Sequence, residues 1–256
     1  MSEPILKTDG LGKLFGGLVA LDKVDISIEA GKITAIIGPN GAGKTTLFNL
    51  ITGVYPSSSG RIGFRGVSLD NISTPRRAGM GIARTFQNVL LFGNMNALEN
   101  VMTAQHCRSR YGFLEAALRL PKAHREEETI SLKATKYLNL VGLGMYAHQN
   151  ALSLPLGQQK LLAIARAMAT EPQLLLLDEP GAGLNTLEKR ELGDLIRRIR
   201  EMGVTIVLVE HDMDLVMGIA EWIIVLDSGR KIAEGTASQI QKDPRVISAY
   251  LGEEAE

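Results

Sequence analysis

Cysteine is nearly missing from this chain: among 256 residues there is one, Cys107. A lone cysteine excludes an internal disulfide and a cysteine-rich metal site, and it fits a reducing compartment. Net charge is missing too, because 28 Lys and Arg balance 28 Asp and Glu. Without a basic excess, nucleic-acid binding is not the expected role. No apolar run approaches the roughly 18 residues that a membrane-spanning helix needs. The start, Met1-Ser-Glu-Pro4, has no basic stretch followed by an apolar run, so no secretory signal is expected. Such a chain is expected to be soluble and to work at a membrane only if another chain holds it there. Internal repeats, low-complexity segments and long linkers are also lacking. The remaining composition is ordinary, 45% hydrophobic and 22% charged, enough for a sizeable core in one large domain or two modest ones.

Against that background, Gly38-Pro-Asn-Gly-Ala-Gly-Lys-Thr-Thr46 stands out. It satisfies G-x-x-x-x-G-K-[ST], the phosphate-binding loop. The apolar run Ile33–Ile37 before it predicts a buried strand, and Leu47–Ile51 after it continues as a helix. Gly38, Gly41 and Gly43 let the backbone curl so that successive N–H groups of Pro39–Thr46 (Asn40, Ala42 and Thr46 among them) face an anion, although Pro39 itself has no N–H to give. The helix N-terminus adds partial positive charge. Lys44 can reach β- and γ-phosphates, and the Thr45 hydroxyl can ligate Mg²⁺.

The first 85 or so residues predict strands with Gly-centred turns, including Val24–Ile28, which alternates apolar and polar, and Gly60–Phe64. From about Asn88 to Asn150 strand-like runs give way to charged helical stretches such as His124–Lys136, with a break at Pro121. An α/β alternation returns from Leu161. Leu174–Leu177 and Val204–Val209 predict buried strands, Leu192, Leu195, Ile196 and Ile199 share a helix face, and Trp222–Asp227 with Arg230–Glu234 predict a hairpin around Ser228-Gly229.

Leu174–Leu177 delivers Asp178 and Glu179 to a strand's C-terminal end, where open α/β sheets bind ligands. Asp178 can hold Mg²⁺ and Glu179 can accept a proton from an attacking water; read without the phosphate loop, the pair would equally be two capping acids. His211, just past Val204–Val209, is a candidate γ-phosphate contact. Gln87 in Arg84-Thr-Phe-Gln87 either orients water and completes a Mg²⁺ shell or is a polar residue at a domain boundary. Leu156-Gly-Gln-Gln159 precedes a predicted helix at Lys160–Thr170 and reads either as an anion-facing start or as a plain cap.

Taken in order, these motifs resemble the ATP-binding subunits of ABC transporters along nearly the whole chain. Arg84–Gln87 is similar to the Q-loop, Leu154–Gln158 to the signature, Leu174–Glu179 to Walker B with its glutamate, Ala182-Gly-Leu-Asn185 to the D-loop, and His211 to the switch histidine. Phe15 stands where an aromatic stacks on adenine. Phe15–Leu21, Ala182–Asn185, Glu210–Met217 and Val246–Gly252 resemble the branched-chain amino-acid uptake ATPases, the larger of that system's two ATPase subunits, as does the insert near Arg108–Glu128. Two positions depart from the general pattern: Pro155 replaces the signature serine and removes a hydroxyl and an N–H, and Asn185 replaces the D-loop aspartate.

The resemblance implies an α/β fold, a P-loop NTPase of the ABC ATPase type with an antiparallel β subdomain and an inserted α-helical subdomain. Residues 1–256 would form one such domain, with 1–87 and 151–256 as core and β subdomain and 88–150 as the helical part. It implies ATP and Mg²⁺ as cofactors, with Thr45, Gln87 and Asp178 on the metal, Lys44 and His211 neutralising charge, and Gly157 and Gln158 acting on the opposite subunit's nucleotide. It also implies a second ATPase subunit in a homo- or heterodimer, two membrane permeases and, indirectly, a solute-binding protein, at the cytoplasmic face of a bacterial inner membrane. The chain stops soon after Gly252, so no appended regulatory domain is expected. Competing readings are the same ATPase role for urea, short amides or another small solute, an idle ATP-dependent clamp motivated by Pro155, and a translation- or repair-type ATPase without a membrane partner.

Overall fold

The computed structural model describes residues 3–105 and 121–251. Cys107, the insert residues 108–120 and Gly252 lie outside the described residues. The chain divides into two compact units, Met1–Arg84 with Gln173–Glu256, and Thr85–Pro172.

The first unit carries two sheets. The smaller is antiparallel, ordered β2 (Leu18–Val24), β1 (Leu6–Phe15), β5 (Ser59–Phe64) and β6 (Val67–Ser68), with β3 (Ser27–Ile28) also on β1. The larger is ordered β11 (Arg230–Gly235), β10 (Trp222–Asp227), β4 (Ile33–Ile37), β9 (Thr205–Val209), β8 (Leu174–Asp178) and β7 (Ile82–Arg84). From β10 to β7 every neighbour is parallel. Every residue of β4, β8 and β9 is buried, which is why their sequences are continuous apolar runs rather than alternations. At the turn from β10 to β11 both Ser228 (φ 47°) and Gly229 (φ 77°) are left-handed, the backbone a two-residue hairpin requires.

One expected strand is not continuous. Val24–Ile28 breaks between β2 and β3. The hydroxyl of buried Thr8 donates to the Val24 carbonyl at 2.7 Å and accepts from the Ile26 amide at 3.0 Å, so a side chain replaces the ladder there. The alternation of apolar residues was real, but it reports burial on both sides of a break. The predicted helix at Lys160–Thr170 begins a turn earlier, spanning Leu156–Ala169.

Helix α1 (Lys44–Thr52) follows β4 and buries Leu47, Phe48, Leu50 and Ile51. Its C-terminal end is held by Arg77 of α2 (Thr74–Gly79), whose buried guanidinium donates to the carbonyls of Leu50 (2.6 Å), Ile51 (3.0 Å), Leu69 (2.7 Å) and Ile72 (2.8 Å). A cation on the terminal carbonyls of a helix satisfies otherwise orphaned acceptors and complements the dipole. Burial lowers the affinity of this guanidinium for its proton, and nearby Asp70 opposes that shift.

The second unit, considered by itself, is helical. Ala97–Gln105, Pro121–Leu140 and Leu156–Ala169 pack on one another. Ile130, Ala134, Leu138 and Val141 make one buried stripe at helical spacing. Buried Asn100 donates to the carbonyls of Phe92 (3.1 Å) and Asn96 (3.0 Å) and accepts from the Phe92 amide (2.9 Å), pinning the segment before the first of these helices.

Replacing Arg77 by Met leaves several buried carbonyls without a donor, each costing about 1–3 kcal/mol. Arg77→Met is therefore expected to lower unfolding stability by about 3 kcal/mol in a urea titration, with the slope unchanged.

Candidate functional site

Parallel pairing sets the site's frame. In the registers of β4, β9 and β8, Ile36 pairs with Val209 and Val209 with Asp178, so three neighbouring strands end side by side. The loop from Gly38 leaves β4, Glu179 leaves β8, and Glu210-His211 leaves β9. Lys44, Thr45, Asp178, Glu179 and His211 therefore share the C-terminal edge of one sheet. Gln87 and Leu156–Gln158 belong to the helical unit. Gln87 is exposed three residues past β7, and Gly157 and Gln158 lie in the first turn of the helix Leu156–Ala169. Pro155 is the residue preceding that helix (φ −54°, ψ 152°), with no side-chain cap, so its missing N–H removes no helical bond.

The phosphate loop is moulded by close backbone walls. Gly38 (φ 147°) has the Leu226 carbonyl oxygen 1.9 Å from where a Cβ would stand, and at Gly43 (φ 98°) the Ala20 carbonyl would lie 2.8 Å away. Only glycine fits either place. Gly43 precedes α1 without a side-chain cap, and the first turn has no acid, so the leading N–H groups are directed to an anion rather than to the chain's own carboxylates. The Lys44 ammonium donates to the carbonyls of Gly38 (2.6 Å) and Pro39 (2.8 Å), which sets its head over the loop. Thr45 is exposed at the start of α1, and Thr46 half-buried beside it.

Asp178 is 3% exposed. Arg84 donates to its Oδ2 at 2.7 Å and, through the other terminal nitrogen, to Asn49 Oδ1 on α1 at 2.7 Å. Both members of the ion pair are buried, and the Arg84 guanidinium also faces the Phe48 ring at 5.4 Å. This bridge fixes the Asp178 carboxylate relative to the phosphate-loop helix. Sequence reasoning assigned Arg84 no role. The available signal was an arginine ending the short apolar run Ile82–Arg84, a place where a charge is buried only if paired. Glu179 has left-handed backbone (φ 47°), and its N–H donates to the Val209 carbonyl at 2.9 Å. His211 is exposed.

Phe15 ends β1 and is 40% exposed. Tyr55 meets it edge-on with centroids 5.3 Å apart, and the Lys13 ammonium lies 4.9 Å from the Phe15 centroid. Neither neighbour was expected from sequence.

Within the first unit, Thr45 and Asp178 offer a hydroxyl and a carboxylate, the oxygen donors that Mg²⁺ takes. These hard oxygen ligands fit that ion. Among the described residues no group of three His, Cys, Asp or Glu is placed to hold a metal.

A sheet whose strand ends gather a phosphate loop, a buried aspartate, a glutamate and a histidine defines a nucleotide-hydrolysing cassette. The sequence pattern of the ABC transporter family matches residues 21–182, and that of the branched-chain amino acid ATP-binding cassette transporters matches residues 230–256. The chain is 44% identical over 254 residues to the high-affinity branched-chain amino acid transport ATP-binding protein LivG of Escherichia coli (strain K12), covering 99% of this chain and 100% of that one. It superposes on the ADP conformation of an ATP-binding cassette of an ABC transporter with TM-score 0.86 at 33% identity, covering 98% and 100%. It also superposes on a dimeric post-hydrolysis cassette bound to ADP and Pi with TM-score 0.78 at 26% identity, covering 91% and 98%. The chain belongs to the ABC transporter ATP-binding proteins, and its activity is ABC-type ATP hydrolysis.

Breaking a buried ion pair by removing one partner costs about 3–5 kcal/mol. Arg84→Met is expected to lose about that much in chemical denaturation, and the double variant Arg84→Met/Asp178→Asn is expected to lose less than the two single losses added together.

Proposed function

We propose that this ATPase powers import of branched-chain amino acids through a membrane ABC transporter. The end-to-end match to LivG, together with the phosphate loop, Asp178, Glu179 and His211 present in this chain, carries that reading. No described helix is long and apolar enough to cross a membrane, so two permease subunits would form the pathway and a solute-binding protein would deliver cargo. The ATPase would sit at the cytoplasmic face of the inner membrane. The helical part, 88–150, would dock on a permease.

Two ATPase subunits would close around two ATP molecules, each nucleotide held by Lys44 and the loop of one chain and by Gly157 and Gln158 of the other. The similar cassette bound to ADP and Pi is dimeric, which supports the pairing of two such subunits. Phe15 would stack on adenine. Mg²⁺, when bound through Thr45, Asp178 and Gln87, supplies charge neutralisation to the phosphates. Glu179 would take the proton of the attacking water, while Lys44 and His211 stabilise charge on the transferred phosphoryl group. Loss of the γ-phosphate removes the bridge between subunits and shifts them toward the open state.

General-base removal costs about 10²–10⁴-fold in rate. Glu179→Gln is expected to lower ATP turnover by about that factor while fluorescent-nucleotide titration shows binding within a few-fold. Turnover near the wild-type rate would exclude Glu179 as base. In proteoliposomes carrying the co-purified permeases, sister ATPase and solute-binding protein, leucine, isoleucine and valine are expected to accumulate on ATP addition. EDTA is expected to stop both uptake and hydrolysis. ATP-driven uptake of urea or a short amide alone would redirect the cargo assignment.

A further inference from the structure

Glu210 is a carboxylate buried to 1% exposure beside the exposed His211, and the hydrolytic roles of its neighbours leave it without a task. Its two oxygens divide between two segments. Oε1 accepts the N–H of Gly181 at 2.5 Å, and Oε2 accepts the N–H of His211 at 3.1 Å and, more weakly, that of Asp212 at 3.5 Å. One carboxylate thus ties the loop that leaves β8 to the loop that leaves β9.

The first of these loops needs such a tie. Its first residue, Glu179, is in left-handed backbone (φ 47°), a conformation a side chain adopts only where its surroundings enforce it. The loop then winds on itself, the Ala182 amide reaching the Glu179 carbonyl and the Leu184 amide the Gly181 carbonyl, both at 3.2 Å. Gly181 is shaped to its partner, since a Cβ there would lie 2.8 Å from Glu210 Oε1 and 3.1 Å from Leu215 Cδ2. The second loop is braced further along, where Lys189 pairs with Asp212 and holds its carboxyl below the ordinary carboxylate range.

We propose that Glu210 is a positioning residue for hydrolysis, a clasp that sets the Glu179 backbone and the His211 backbone in one fixed relation. It touches no substrate. Through Gly181 it holds the loop whose first residue is the base, and through the amide of His211 it aims the residue that meets the γ-phosphate. This rests on the roles proposed for Glu179 and His211. A glutamine at 210 keeps the size and keeps one acceptor oxygen, but its amide NH₂ must face a backbone N–H, a donor against a donor. A methyl at 181 attacks the same contact from the other side.

The test uses the full-length protein with its co-purified subunits. Misplacing a catalytic group by about 1 Å costs on the order of 10²-fold. Glu210→Gln and Gly181→Ala are each expected to lower kcat by about 10–10²-fold with KM for ATP within a few-fold and native far-UV circular dichroism at the assay temperature, and the double variant is expected to be no slower than the worse single one. In hydrogen exchange of the nucleotide-free protein, peptides covering 179–185 and 210–213 are expected to exchange faster in Glu210→Gln, while 44–52 stays as in wild type. A wild-type kcat in Glu210→Gln, a kcat loss accompanied by equally faster exchange at 44–52, or unchanged exchange at 179–185 would each overturn the clasp. Exchange is measured without turnover, so it separates failure of the clasp from failure of the Glu179 assignment, which the Glu179→Gln rate decides.

Discussion

Parallel hydrogen bonding among β4, β9 and β8 is the constraint on which the site depends. Parallel strands end together on one side of a sheet, and the segment after each strand must leave from the same edge. Here that edge receives an anion-binding loop, a pair of carboxylates and a histidine from segments far apart in the chain. The strands are buried on both faces, so a slip of register would mismatch the apolar side chains packed above and below the sheet, and the edge is held in place by the core around it.

A second tier of contacts converts that rough convergence into fixed geometry, and it consists of polar groups inside the apolar mass. Arg77 finishes the helix whose start faces phosphate. Arg84 joins Asp178 to that same helix through Asn49. Each of these cations is buried and surrounded by acceptors, and each pays its desolvation only because the acceptors are already in place. The phosphate-loop helix and the Asp178 carboxylate are therefore tied together through one guanidinium.

The parts legible in the sequence were those written locally. Gly38–Thr46 between an apolar run and a helical one, the four leucines before Asp178, the β-branched run before His211 and the Ser228-Gly229 turn all carry their structural instruction within about ten residues. The ABC family and its α/β architecture followed from the order of these pieces. The illegible parts depend on partners distant in sequence. Thr8 breaks a strand at residues 25–26 through a hydroxyl 16 to 18 positions away. Arg84 and Asp178 are 94 residues apart, and Glu210 and Gly181 are 29 apart. No periodicity marks such pairs, because a single buried charge leaves no repeating pattern. The helix at Leu156–Ala169 began earlier than expected because Pro155 fits the position just before a first turn, where its missing donor costs nothing.

The turn at Ser228-Gly229 bears on the phosphate loop in one more way. Gly229 donates to the Ala42 carbonyl at 3.2 Å and accepts from Asp22 at 2.8 Å, while Leu226 and Ala20 wall the glycines. The loop is therefore cast against two separate strands of its own chain, and little chain entropy remains to be lost on binding. Nucleotide capture should then carry a small heat-capacity change at this loop. Any larger calorimetric signal on ATP binding would have its origin elsewhere, in the docking of whole surfaces and not in the cradle that grips the phosphates.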